Sequence, residues 1–195
     1  MSADRTAAIA VRIVRQILRD RRSVALIVVA PLIVMSLVGF SFRDQQAILD
    51  ATTPAFLGVF ALTFTFILTA VSFLRERSQG TLERLLVTPV GRADLLVGYM
   101  LGFLLFAAAQ SVILMLFTIF TFDISYQGAL WQVFVVLMVL TVVGVSLGIF
   151  VSTFANNEFQ VVQFIPILLA PQIFLSGVVL PVSQMPGYFQ ALSKA

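Results

Sequence analysis

A hydroxyl nucleophile needs a base beside it, and the serines set in apolar sequence, Ser72, Ser111, Ser146 and Ser176, have no histidine or lysine to serve as one. Aspartyl chemistry at membrane depth would need two aspartates there, and none occurs. These serines therefore read as helix-packing or back-bonded groups. Cysteine is absent, which removes disulfides and thiolate metal sites, and no G-x-x-x-x-G-K-[ST] phosphate loop is present. No catalytic, cofactor-binding or metal site is expected in this chain. What remains is one dense polar segment, residues 75–94 (RERSQGTLERLLVTPVGRAD), held between two long apolar stretches as the natural grip for a partner.

The elements around it follow from charge and length. Residues 23–42, 54–74, 95–122, 130–154 and 159–180 contain no Asp, Glu, Lys, Arg or His. A helix crosses the ~30 Å hydrocarbon core with ~20 apolar residues, so each run predicts a transmembrane helix and residues 23–180 a transmembrane domain. A soluble reading fails because none of the five runs has a polar face. Residues 1–22 precede the first span, with Arg12, Arg15, Arg19 and Arg22 along one helical face and Ile9, Ile13 and Ile17 along another. This predicts an interfacial amphipathic helix whose arginines meet lipid phosphates or the acidic residues of a protein partner. Ten arginines fall on the side of the N-terminus and the 75–94 loop, against Arg43 and Lys194 on the other, so the positive-inside rule places the N-terminus in the cytoplasm. The fold expected is thus all-α and integral to the membrane. The arginines are explained by topology and lipid, and nucleic acid is not a partner.

Within the polar segment, Thr81 is placed to cap a short helix that Pro89 ends, with Leu82, Leu85 and Leu86 on one face and Glu83 and Arg84 on others. Such an element suits a groove in a soluble protein, or can lie on lipid with its leucines down. Asp94 is placed to cap the third span, and Glu158, beside Asn156 and Asn157, the fifth. Links 43–53 and 123–129 are short, so the spans they join are antiparallel neighbours. Gln110, Gln163 and Gln172, with Thr65 and Thr69, are the polar groups at membrane depth, suited to interhelical hydrogen bonds or to a substrate path. Gly98-x-x-x-Gly102 and Gly144-x-x-x-Gly148 permit close helix approach. Pro166 and Pro171 bend the fifth span, and residues 181–195 read as a re-entrant or interfacial outer segment.

Two stretches carry a resemblance. Glu76, Gly80, Thr81, Leu82, Glu83, Leu85, Thr88 and Pro89 match an E-x-x-x-G-T-L-E-x-L-x-x-T-P pattern between the second and third spans. Leu175, Ser176, Gly177, Pro181, Met185 and Pro186 match a later L-S-G-x-x-x-P-x-x-x-M-P pattern. With the topology, the chain resembles the membrane (permease) subunit of type 2 ATP-binding-cassette exporters. The resemblance implies ATPase coupling through Glu76, Gly80, Thr81, Leu82, Glu83, Arg84, Leu85 and Pro89. It implies a separate ABC-type ATPase subunit holding ATP and Mg, and a second permease subunit in a homo- or heterodimer. It implies a location in the plasma membrane, a bacterial inner membrane, in multi-pass form. The family usually has six spans, with the last returning the C-terminus to the cytoplasm, so this sequence is expected to be either a truncated piece or a divergent member without that return. With no ionisable group in the spans to bind a driving ion, energy must come from outside the chain. The cargo expected is apolar or amphipathic, drug-like or lipid-like. A polysaccharide exporter of the same family, or a non-transporting scaffold that recruits a soluble protein through 75–94, are the alternatives.

Overall fold

The computed structural model describes residues 2–88, 90–122, 129–175 and 184–194, side chains excepted at Ser23, Leu86, Leu175 and residues 191–194. The described residues form α1 (Ala3–Arg19), α2 (Arg21–Ser41), α3 (Gln46–Ser78), α4 (Thr81–Leu86), α5 (Arg92–Phe122), α6 (Leu130–Ser152), α7 (Glu158–Leu175) and α8 (Gly187–Lys194). Four of them, α2, α3, α5 and α6, are long and apolar enough to cross a membrane, and Glu158–Phe174 is a shorter apolar helix. The chain is an all-α, multi-pass membrane protein. Helices are the form such segments must take, because lipid offers no partner for a backbone N–H or C=O.

At 33 and 31 residues, α3 and α5 are about 50 and 46 Å long, more than the hydrocarbon thickness, so both continue beyond it. The polar link expected at 43–53 is largely helical, since α3 begins at Gln46 and carries Pro54 inside it. Proline removes its own donor and crowds the carbonyl four residues earlier, and the helix continues through it.

The core is organised around α3, whose most extensive neighbour is α6; the α1 and α5 pair ranks next. Both pairings use the small-residue patterns. A Cβ built at Gly148 on α6 would stand 2.8 Å from Thr69 Cβ and 3.0 Å from the Phe66 carbonyl oxygen of α3. One built at Gly102 on α5 would stand 2.8 Å from Ile13 Cβ and 3.0 Å from the Ala10 carbonyl oxygen of α1. Only glycine lets these backbones approach so closely. The isoleucine face of α1, expected at the lipid surface, is accordingly buried in the protein: Ile9, Ile13 and Ile17 join Tyr99, Phe103 and Phe106 of α5 in one cluster.

Some polar groups at depth bind neighbouring helices, while others, such as Thr63 and Thr118, bond back to the carbonyl four residues earlier. Gln110 of α5 donates to the Ile27 carbonyl of α2 at 3.2 Å, and Ser111 shares a 3.1 Å hydrogen bond with Thr141 of α6. Thr65 and Thr69 differ from expectation. Their hydroxyls are buried without a partner, and their carbon atoms fill the space left by Gly144 and Gly148.

Candidate functional site

The 75–94 segment begins inside the last turn of α3, where Arg75, Glu76 and Arg77 stand in succession. Consecutive helical residues project about 100° apart, so three adjacent charges face three different neighbours. Arg75 Nε donates to Glu158 Oε1 at 2.6 Å, at the start of α7, and its Nη1 reaches Asp20 Oδ2 at 3.4 Å, between α1 and α2. Arg77 Nη1 donates to the carbonyl oxygens of Ser152 and Thr153 at 3.0 and 2.6 Å, placing a cation on the otherwise unpaired C-terminal carbonyls of α6.

Glu76 points inward and is 2% exposed. Its Oε2 accepts from Arg12 Nη2 of α1 at 2.8 Å and from Tyr99 Oη of α5 at 2.7 Å, and its Oε1 accepts from Gln16 Nε2 of α1 at 2.5 Å. A buried carboxylate is tolerable only when paired and hydrogen-bonded, and three donors from two helices satisfy it. Burial opposes the charge on Arg12, and the hydrogen bond and charge of Glu76 override it, holding its pKa above the ordinary value. Phe73 meets the Tyr99 ring edge-on at 5.1 Å, packing the base of the cluster. The arginine stripe of α1 thus supplies Arg12 to an acidic residue of its own chain.

Beyond α3 the chain turns sharply at Gly80, whose φ of 68° lies in the left-handed region. That is why the N-cap of α4 is Gly80 and carries no side-chain cap, with Thr81 the first helical residue instead of the cap expected of it. The leucine face is also turned the other way from either sequence expectation. Leu82 and Leu85 pack against the α1, α3 and α5 cluster, leaving Glu83, Arg84, Val87 and Thr88 exposed, Val87 at 87%. The Leu86 side chain and Pro89 lie outside the described residues.

Two further caps are corrected. Asp94 sits inside the first turn of α5, 4% exposed, and accepts from the Ser2 backbone N–H at 2.9 Å, tying the start of α1 to α5. At α7 the cap is Asn157, whose Oδ1 accepts from Gln160 N–H at 2.9 Å, while Gln160 Oε1 accepts from Asn156 N–H at 2.7 Å. This frees Glu158 for Arg75.

The three glutamines do not converge. Gln110 faces α2, whereas Gln163 and Gln172 are exposed on α7 and line separate cavities, Gln163 with Phe154 and Asn156, Gln172 with Gly58 and Leu140. Ser176, Gly177 and Pro181 lie outside the described residues. Met185 is buried, its carbonyl oxygen accepting from Gln190 at 2.8 Å, and the Pro186 carbonyl accepts from Phe189 N–H at 2.9 Å, opening α8. Phe189 then meets Phe174 of α7.

The site thus recruits residues that sequence reasoning passed over: Gln16, Asp20 and Tyr99. One signal was available for Tyr99, a hydroxyl-bearing aromatic in an otherwise greasy run, which when buried calls for a hydrogen-bond partner.

Residues 5–195 match the protein-family model described as ABC-2 type transporter. Similar curated proteins include ABC transporter G family member 20 of Dictyostelium discoideum, 28% identical over 75% of this chain and 20% of that protein. The Probable multidrug ABC transporter permease YbhR of Escherichia coli (strain K12) is 29% identical over 72% of this chain and 38% of its own length. The Linearmycin resistance permease protein LnrN of Bacillus subtilis (strain 168) is 28% identical over 74% and 37%. The chain therefore spans between a fifth and two-fifths of these relatives. No solved structure matches it.

Proposed function

Because the chain belongs to the ABC-2 type transporter family and is a membrane permease of that family, we propose that it is the transmembrane half of an ATP-driven exporter, with α4 as the element a separate ATPase grips. The observation that carries this reading is the seating of α4. Leu82 and Leu85 are anchored on the α1, α3 and α5 core, while Glu83, Arg84 and Val87 are exposed to meet a partner. An element that is rigid on one side and open on the other can transmit a push, and a flexible loop cannot.

Force applied to α4 passes through Gly80 into the end of α3. There Arg75, Glu76 and Arg77 lead to α7, α1, α5 and α6 together. ATP and Mg belong to the ATPase subunit in this scheme, α4 and the N-terminus face the cytoplasm, and a second permease subunit completes the path. The uncharged helices and the printed names of the multidrug and linearmycin-resistance relatives support an apolar or amphipathic cargo.

The test is Glu83→Lys in the chain co-expressed with its ATPase. Expected are normal membrane insertion, weakened co-purification, and loss of the ATPase stimulation that the native chain gives. Undiminished stimulation and transport would remove α4 from the mechanism.

A further inference from the structure

Pro31 stands inside α2 and brings no backbone N–H, so the Ile27 carbonyl one turn earlier lacks the donor that a helix normally gives it. Gln110 of α5 supplies one. Its Nε2 donates to that same carbonyl at 3.2 Å, while its own Oε1 is buried with no partner among the described residues. The next residue of α5, Ser111, is hydrogen-bonded to Thr141 of α6, so the donor stands on a helix that is itself held. Pro31 also divides the packing of α2. Before it, Val24, Ile27 and Val28 lie against the cluster that includes Ile13 and Ile17 of α1. After it, Leu32 and the fully buried Met35 join Leu57 and Ala61 of α3, Leu114 of α5 and Leu137 of α6. Further along, Phe40 meets Phe122 of α5 edge-on at 5.4 Å.

We propose that α2 is hinged at Pro31 with Gln110 as the pivot, residues 21–30 swinging with α1 while residues 32–41 stay with α3, α5 and α6. Asp20 alone separates α1 from α2, so a displacement of α1 is handed to the start of α2. A groove of about 310 Å³ between α1, α2 and α3, lined by Leu26 and Ile27, gives that half space to move into. Of the four helices of membrane length, α2 is the least buried, so the fewest contacts oppose its bending. A proline kink opens a carbonyl that lipid cannot satisfy. An amide on the flexible stem of a glutamine follows the Ile27 carbonyl as the angle between the two halves changes, which a backbone donor in a straight helix cannot do. Gln110 is thus a positioning residue, keeping the bend at one point of α5. Under the coupling scheme proposed above, on which this last step alone rests, motion entering at α4 reaches the first half of α2 through α1 and is absorbed at Pro31.

The chain has no cysteine, so pairs of spin labels can be introduced without background, and distances are read on the full chain in phospholipid nanodiscs by pulsed electron paramagnetic resonance. A label at Val139 of α6 is paired with one at Leu26, before the hinge, or at Leu37, after it, all three positions being exposed. Glu76→Gln weakens the tie of α1 to α3, and should add a second distance to the Leu26 pair while the Leu37 pair keeps one. Arg12→Gln serves if Glu76→Gln fails to insert. The pivot is tested by a double-mutant cycle. Gln110→Leu should lower the melting temperature by about 2–4 °C, the shift expected for one interhelical hydrogen bond in a chain of this size. In the Pro31→Ala background, where α2 supplies its own donor to Ile27, the same substitution should cost nothing. An unchanged Leu26 pair, an equal change in both pairs, or an equal loss from Gln110→Leu in both backgrounds would overturn the proposal. None of these readouts requires an ATPase, so a failure of coupling through α4 would leave them standing.

Discussion

Glu76→Gln tests whether the buried carboxylate is what holds α1 in place. Three hydrogen bonds meet at Glu76, from Arg12, Tyr99 and Gln16. The substitution leaves the Arg12 bond assisted by one charge instead of two, makes the Tyr99 bond neutral and sets one amide NH₂ against that of Gln16. Hydrogen bonds to a charged group contribute about 1.5–3 kcal/mol, against about 1 kcal/mol for neutral ones. Removing one partner of a fully buried ion pair can cost about 3–5 kcal/mol, but the Arg12 side chain is 35% exposed and water recovers part of that. A loss of about 2 kcal/mol is therefore expected for the docking of α1. At 1.4 kcal/mol per factor of ten, the undocked population rises about thirtyfold. Trypsin reads this directly, because α1 carries Arg12, Arg15 and Arg19, and nicking of a transiently opened helix follows the open population when reclosing is fast. The initial nicking rate in Glu76→Gln should rise accordingly. Arg12→Gln should raise it too, with the double variant well short of the product of the two effects. Unchanged nicking in Glu76→Gln, or fully independent effects in the double variant, would refute the reasoning.

Three other perturbations separate packing from docking. Gly148→Leu puts side-chain atoms where Thr69 and the α3 backbone already stand, and should lower thermal stability by about 1–3 kcal/mol in a fluorescence-monitored melt, as overpacking does. Val87→Asp, at an 87% exposed position, should leave that melt unchanged while reducing retention of the ATPase in pull-downs. Leu82→Asp, by contrast, buries a charge against the α1, α3 and α5 cluster and should lower stability as well as retention.

Much of the architecture was legible from residue types alone. Uncharged stretches of membrane length can satisfy their backbones only as helices, so the spans and the amphipathic α1 follow from composition and periodicity. The spacing of Gly98 with Gly102, and of Gly144 with Gly148, announced close packing without saying with which helix. The charged segment and its matches to the family announced where a partner would act. The cap assignments were less successful. Thr81, Asp94 and Glu158 were each placed to cap by local spacing, but the left-handed turn at Gly80, the Ser2 backbone and the Arg75 side chain took those roles or residues elsewhere.

What only the tertiary structure decided is the direction each charged or apolar face looks. Helical periodicity states that Arg12 and Ile13 point different ways, and equally that Arg75, Glu76 and Arg77 do. It does not state what lies in those directions, since that depends on helices up to about ninety residues away in sequence. Glu76, matched in sequence to the family's coupling stretch, is an internal tie between α1, α3 and α5. Leu82 and Leu85 read as a surface for insertion when they are the root of α4. A sequence fixes the chemistry each face offers, and the folded chain decides which neighbour consumes it, because a buried charge is stable only where distant helices bring it its donors.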